Sequence, residues 1–131
     1  MDVFKSKIIR TQLTEDELAK LTSDFIQYKK TGFPPDTFGR DVPFDHPHTL
    51  PIVKAEEVQH LHLGTDGKPF PTNKIQFYRC SDEHLIYCQG FLDPDAFLFI
   101  SILTPDAHDQ ERQNDIMYRI GQMAENFRKQ H

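Results

Sequence analysis

The chain has 131 residues, with 15 Lys and Arg against 20 Asp and Glu, a formal net charge of −5, and 11 Phe. That length fits one domain, and the phenylalanines argue against a disordered chain. No apolar run approaches the ~20 residues of a membrane span, and the N-terminal Met1-Asp2-Val3-Phe4-Lys5-Ser6-Lys7 lacks a secretory apolar core. The expectation is a soluble protein of the cytoplasm. The charge is uneven. Residues 32–103 carry five bases and ten acids, whereas 1–31 carry six bases and five acids.

In chain order, Val3 to Ile9 mixes β-branched and aromatic residues with polar ones and predicts a strand. Thr14-Glu15-Asp16-Glu17 is a capping box, with Leu13 and Leu18 at the staple positions. Leu18, Leu21, Phe25 and Tyr28 then recur at helical spacing. Lys29 and Lys30 suit a helix C-terminus, and Gly32 suits a left-handed stop, which predicts a helix over 15–31. Five prolines between Gly32 and Pro51 predict an irregular excursion with a helical turn near Phe38. Its Phe38-Gly39-Arg40-Asp41 stretch reads either as a loop facing a partner or substrate, or as one packing its own phenylalanines.

Val58 to Leu63 alternates apolar and polar residues, as a half-buried strand does. Ile75 to Arg79 predicts a second short strand and Leu85 to Cys88 a third. Ala96 to Leu103 is a nearly continuous apolar run, which predicts a central strand buried on both faces. Ile116, Ile120, Met123 and Phe127 predict a last amphipathic helix over about 109–129. Short turns between successive strands imply antiparallel pairing. The fold class is therefore α+β, a curved sheet packed on the first helix.

His60 and His62 lie two apart on one strand and so share a face. If Leu61 and Leu63 point into the core, both rings point away from it. His84 opens the third strand, and His108 follows the turn after the central strand. Arg79 ends the second strand, and Arg112 falls in the first turn of the last helix. These six residues can supply metal-free RNA cleavage. That chemistry needs a base for the 2′-hydroxyl, cations for the phosphorane-like charge and an acid for the departing oxygen. Imidazole titrates near neutrality and guanidinium forks onto phosphate. In that scheme His60 or His62 is the base, Arg79 and Arg112 bind the phosphate, and His84 or His108 is the acid. The plain alternative is a polar sheet face. Another is a metal site on the His-x-His pair, with His84 or His108 as third ligand and Asp82 as a carboxylate. His46-Pro47-His48 is a second short pair, in a proline-rich loop. Cys80 and Cys88 are read as core or edge thiols, not as a disulfide.

Several strings carry a family resemblance: Val3 to Arg10, Phe38-Gly39-Arg40-Asp41, His60-Leu61-His62-Leu63, Pro69-Phe70-Pro71, Asp82 to Gly90, and Ile120 to Glu125. Over nearly its whole length the chain resembles the YafO family of bacterial type II toxins, a branch of the RelE/ParE-like superfamily. The resemblance implies a single RelE-like domain over 1–131, with the superfamily's three-strand core in 76–103. It implies a ribosome-dependent mRNA endonuclease that promotes 2′-hydroxyl attack without a metal or other cofactor. It implies as partners the ribosome, mRNA and a cognate YafN-like antitoxin, and no membrane. Arg79 matches a recurring phosphate-binding arginine, and His108 and Arg112 fall where other branches place basic or imidazole groups. A gyrase-directed toxin of the ParE kind and a toxin-like module that only binds a partner stay open, because the chain is acidic where many relatives are basic.

Overall fold

The computed structural model describes residues 1–131. Strand β1 (Asp2–Lys5) is followed by helices α1 (Lys7–Gln12) and α2 (Glu15–Thr31), and then by strand β2 (Phe38–Pro43) and helix α3 (Pro51–Ala55). Strands β3 (Gln59–Leu63), β4 (His84–Gln89) and β5 (Ala96–Leu103) come next, and helices α4 (Ala107–Gln110) and α5 (Asn114–Gln130) end the chain. The five strands form one sheet in the order β1-β5-β4-β3-β2. All neighbours are antiparallel except β1, which runs parallel to β5. The fold is α+β. No helix is long and apolar enough to cross a membrane.

Helix α2 has the predicted bounds for the predicted reasons. The Thr14 hydroxyl accepts from the Glu17 amide, and the Glu17 carboxylate accepts from the Thr14 amide. Gly32 ends the helix at φ 78°, where a Cβ is strained.

Helices cover both faces of the sheet. One core packs α1 and α2 on Leu61, Leu85, Tyr87, Phe97 and Phe99, around a fully buried Phe25. The Phe25 ring meets Tyr87, Phe97 and Phe99 edge-on, with centroids 4.9–5.2 Å away. The second core packs α3 and α5 on Ile86, Cys88, Leu98 and Ile100. All eight residues of β5 are buried, as its continuous apolar run predicts. A bulge opposite Ile86 and Tyr87 shifts its alternation, so Phe97, Phe99 and Ile102 face one core, and Leu98, Ile100 and Leu103 the other.

Five local expectations are corrected. The first strand stops at Lys5, because Ser6 caps a helix there. Its hydroxyl accepts from the Ile9 amide and donates to the Ile100 carbonyl at 2.6 Å. The proline-rich excursion contains an edge strand and a short helix, with Pro43 at the strand end and Pro51 in the first turn of α3. Residues 75–79 are not a strand. β3 and β4 pair directly, from Gln59 with Tyr87 to His62 with His84, which leaves no place between them. Gln76–Tyr78 is a 3₁₀ turn laid against β2. The last helix is two helices, and Arg112 lies between them. Finally, the rings of His60 and His62 do not point away from all core packing, because a second core lies on their face. That face is the α5 side of a sheet covered on both sides, so His62 is buried and His60 half-buried.

Candidate active site at the ends of β3 and β4

The register places His62 directly across from His84, and His60 across from Ile86. Residues two apart on a strand share a face, so the three rings line one side of the sheet. The turn after β5 brings His108 over them. Ring centroids are 3.9 Å apart for His62 and His84, 4.9 Å for His84 and His108, 5.6 Å for His60 and His62, and 5.9 Å for His62 and His108. Four of the six sequence-predicted residues therefore meet at one place.

Each ring is held differently. His62 Nδ1 accepts the Ser81 amide at 2.9 Å, so the neutral ring carries its proton on Nε2. Burial, together with His84, His60 and His108, lowers its pKa to about 3. His60 stacks on Phe44 at 4.2 Å, and burial lowers its pKa to about 4. His84 is fully buried. Its Nε2 faces the Ser81 carbonyl and its Nδ1 the Glu111 carboxylate, both at 2.8 Å. A carbonyl and a carboxylate both accept, so the pair is satisfied when a proton sits on each ring nitrogen or when Glu111 carries one.

His108 is the exposed member, with its side chain 56% accessible. Its Nδ1 lies 2.6 Å from Asp82 Oδ1, and its amide donates to the same oxygen at 2.9 Å. These two bonds hold the Asp82 carboxyl below its usual pKa. The carboxylate accepts the hydrogen bond from Nδ1–H, which leaves the lone pair of the neutral ring on Nε2.

The two arginines sit elsewhere. Arg79 is half-buried beside β2, where Nε donates to the Lys74 carbonyl and one terminal nitrogen to the Phe38 carbonyl. Arg112 is 78% exposed and pairs with Asp109 at 3.4 Å. Neither touches the rings. Sequence reading missed Ser81 and Glu111 as partners of the rings, and Arg40, whose charge helps lower the pKa of His62. Glu111 had no signal in the sequence, because its link to His84 spans 27 positions. Sequence reading offers Asp82 only as a carboxylate ligand for a metal, not as the partner of His108.

His62, His84 and His108 can each offer a ligand atom within 4.8 Å of the others, which is the residue set of a zinc site. The hydrogen bonds do not fit that use. A ring that ligates through one nitrogen normally donates from the other. His62 Nδ1 instead accepts from Ser81, and both nitrogens of His84 are engaged. Only His108 presents a ligand nitrogen already prepared.

The depressed histidines set a pH dependence. His60 and His62 titrate near 6.5 in the unfolded chain, and at about 4 and about 3 when folded. The unfolded state therefore takes up protons first as the pH falls. Stability is full above pH 6.5 and is lost from there down toward pH 3. Between pH 7.5 and pH 5.5 the loss should be about 2–3 kcal/mol, since both rings stay neutral in the folded chain while each unfolded ring takes up a proton. A guanidinium midpoint as high at pH 5.5 as at pH 7.5 would contradict this.

No solved structure matches the chain. It is 52% identical over 129 residues to the mRNA interferase toxin YafO of Escherichia coli (strain K12), an alignment covering 98% of each chain. Residues 26–129, which include the four histidines of the site, match the family described as "Toxin YafO, type II toxin-antitoxin system". On that match and that relative, the chain belongs to the YafO family of toxins of type II toxin-antitoxin systems.

Proposed function

We propose that this chain is a metal-independent endoribonuclease that cuts messenger RNA on the ribosome in the cytoplasm, and that a YafN-like antitoxin holds it inactive. The whole chain acts as one RelE-like toxin domain. The relative's name, an mRNA interferase toxin, supports the reaction class. The observation that carries the reading is the Asp82–His108 pair, whose imidazole is exposed and lies beside a neutral, proton-bearing His62.

In this reading His108 Nε2 takes the proton of the 2′-hydroxyl, and Asp82 steadies the imidazolium that forms. The 2′ oxygen bonds to phosphorus and the bond to the 5′ oxygen breaks, which leaves a 2′,3′-cyclic phosphate. The leaving oxygen takes a proton from solvent. His62 donates Nε2–H to the charge that builds on the phosphoryl oxygens. His62 is not the base, because its Nδ1 is occupied and its Nε2 already carries the proton. His84 positions the group through Ser81 and Glu111. Arg79 with Arg40 serves the phosphate chain, and Arg112 lies at the rim.

The test is cleavage of a defined message on purified ribosomes, with and without a chelator selective for transition metals that leaves magnesium in place. Equal cleavage in both, blocked by adding the antitoxin, is expected. Message left intact by the unaltered toxin would contradict the reading, and cleavage abolished by the chelator would favour a metal site.

A further inference from the structure

The 3₁₀ turn that replaces the predicted strand presents two large aromatic side chains to solvent. Phe77 is 53% and Tyr78 62% exposed. Their rings lie edge to face, 5.5 Å apart. The turn is tied down from several sides. Gln76 donates to the Tyr28 hydroxyl and to the Gly39 carbonyl, and the Arg40 amide donates to the Arg79 carbonyl at 2.8 Å. A Cβ on Gly39 would stand 2.1 Å from that same carbonyl, so glycine permits the close approach. Arg40 lays its guanidinium over Phe77 at 4.1 Å and donates Nε to the Phe77 carbonyl at 2.7 Å. Its terminal nitrogens make no hydrogen bond within the chain.

Charge singles out the same place. Residues 68–79 hold Lys68, Lys74 and Arg79 and no acid, in a chain of net charge −5. Arg40 adds a fourth cation. The segment leads directly to the histidines, because Ser81, two residues past Arg79, donates its amide to His62.

Exposed aromatic rings held rigid beside cations are the chemistry of single-stranded nucleic acid. Bases stack on the rings, and the cations follow the phosphates. We propose that Phe77 and Tyr78, flanked by Arg40 and Arg79, form a stacking platform for an unpaired nucleotide of the RNA next to the phosphate held at the histidines. The inference rests on the endoribonuclease reading and names a substrate subsite for it.

Phe77→Ala and Tyr78→Ala should each raise KM for message-programmed ribosomes about tenfold, with kcat within about twofold. Phe77→Trp should restore KM, because a larger π face replaces the lost one. A message carrying 2-aminopurine beside the cut should lose fluorescence with the unaltered toxin and keep it with the double alanine variant. An unchanged KM and unchanged quenching in the double variant would overturn the platform while leaving the endoribonuclease reading intact. Loss of antitoxin binding with an unchanged KM would also overturn it, making the surface a protein interface. Absence of cleavage by the unaltered chain would overturn both.

Discussion

His108→Ala should lower message cleavage by about 10²- to 10⁴-fold, the usual worth of a positioned acid–base group. It should do so while leaving the fold unchanged. The ring is exposed, and its hydrogen-bond partner is a surface carboxylate that the His108 amide also holds. Loss of an exposed side chain usually moves stability by less than about 0.5 kcal/mol. Asp82→Asn should fall in the same direction but less far. The amide can still accept from the His108 backbone, yet it no longer fixes the Nδ1 tautomer or steadies the imidazolium. His84→Ala would behave differently, because it removes a fully buried ring and strands Glu111. Its cleavage loss should come with a lower unfolding midpoint. Single-turnover cleavage beside denaturant unfolding separates the two cases. A His108→Ala toxin that cuts within threefold of the parent would remove His108 from the reaction.

The second large effect concerns stability. Asp41, with its side chain only 7% exposed, accepts from Tyr87 at 2.6 Å, Tyr28 at 2.8 Å and Lys29 at 3.1 Å. Burial and the Asp41 charge push both tyrosines above their usual pKa. Lys29 also donates to the Tyr87 hydroxyl and lies over the rings of Phe25, Tyr28, Tyr87 and Phe97. The network ties α2 to the edge strand β2, and through Tyr28 and Gln76 to the aromatic turn. Asp41→Ala leaves an ammonium and two hydroxyls without their acceptor. It should cost about 3–5 kcal/mol, the range for breaking a buried ion pair from one side. Asp41→Asn keeps an accepting oxygen and should cost about 1–2 kcal/mol. Guanidinium unfolding with an unchanged m-value checks both. A loss under about 1 kcal/mol for the alanine variant would mean that the network is not holding the edge.

The contrast between α2 and the last third of the site explains what a sequence can carry. Helix α2 is specified locally: its cap, staple, apolar stripe and stop all lie within twenty residues. The β5 run is legible for the same reason. Phe38 to Pro43 was hidden because prolines at its flanks mimic a loop, while its pairing partner lies some twenty residues away in β3. The Gln76–Tyr78 turn failed in the opposite sense. Its aromatic residues suit a strand, but the neighbouring sheet positions are already taken. Residue type and period-two spacing place His60 and His62 on one face of the sheet, but local sequence does not say what covers that face. Helix α5 covers the second face, and that burial is what keeps both rings neutral. The partners that assign proton positions (Ser81 to His62, Asp82 to His108, Glu111 to His84) span 19 to 27 residues, and no local pattern announces them.

The central claim is that imidazoles, and not a metal-bound water, drive the cut. The end groups of the fragments test it most directly. Attack by the 2′-hydroxyl leaves a 2′,3′-cyclic phosphate upstream and a free 5′-hydroxyl downstream. The downstream fragment should therefore accept label from a polynucleotide kinase with no prior phosphatase step. A 5′-phosphate downstream with a plain 3′-hydroxyl upstream, the mark of water attacking phosphorus, would contradict the account.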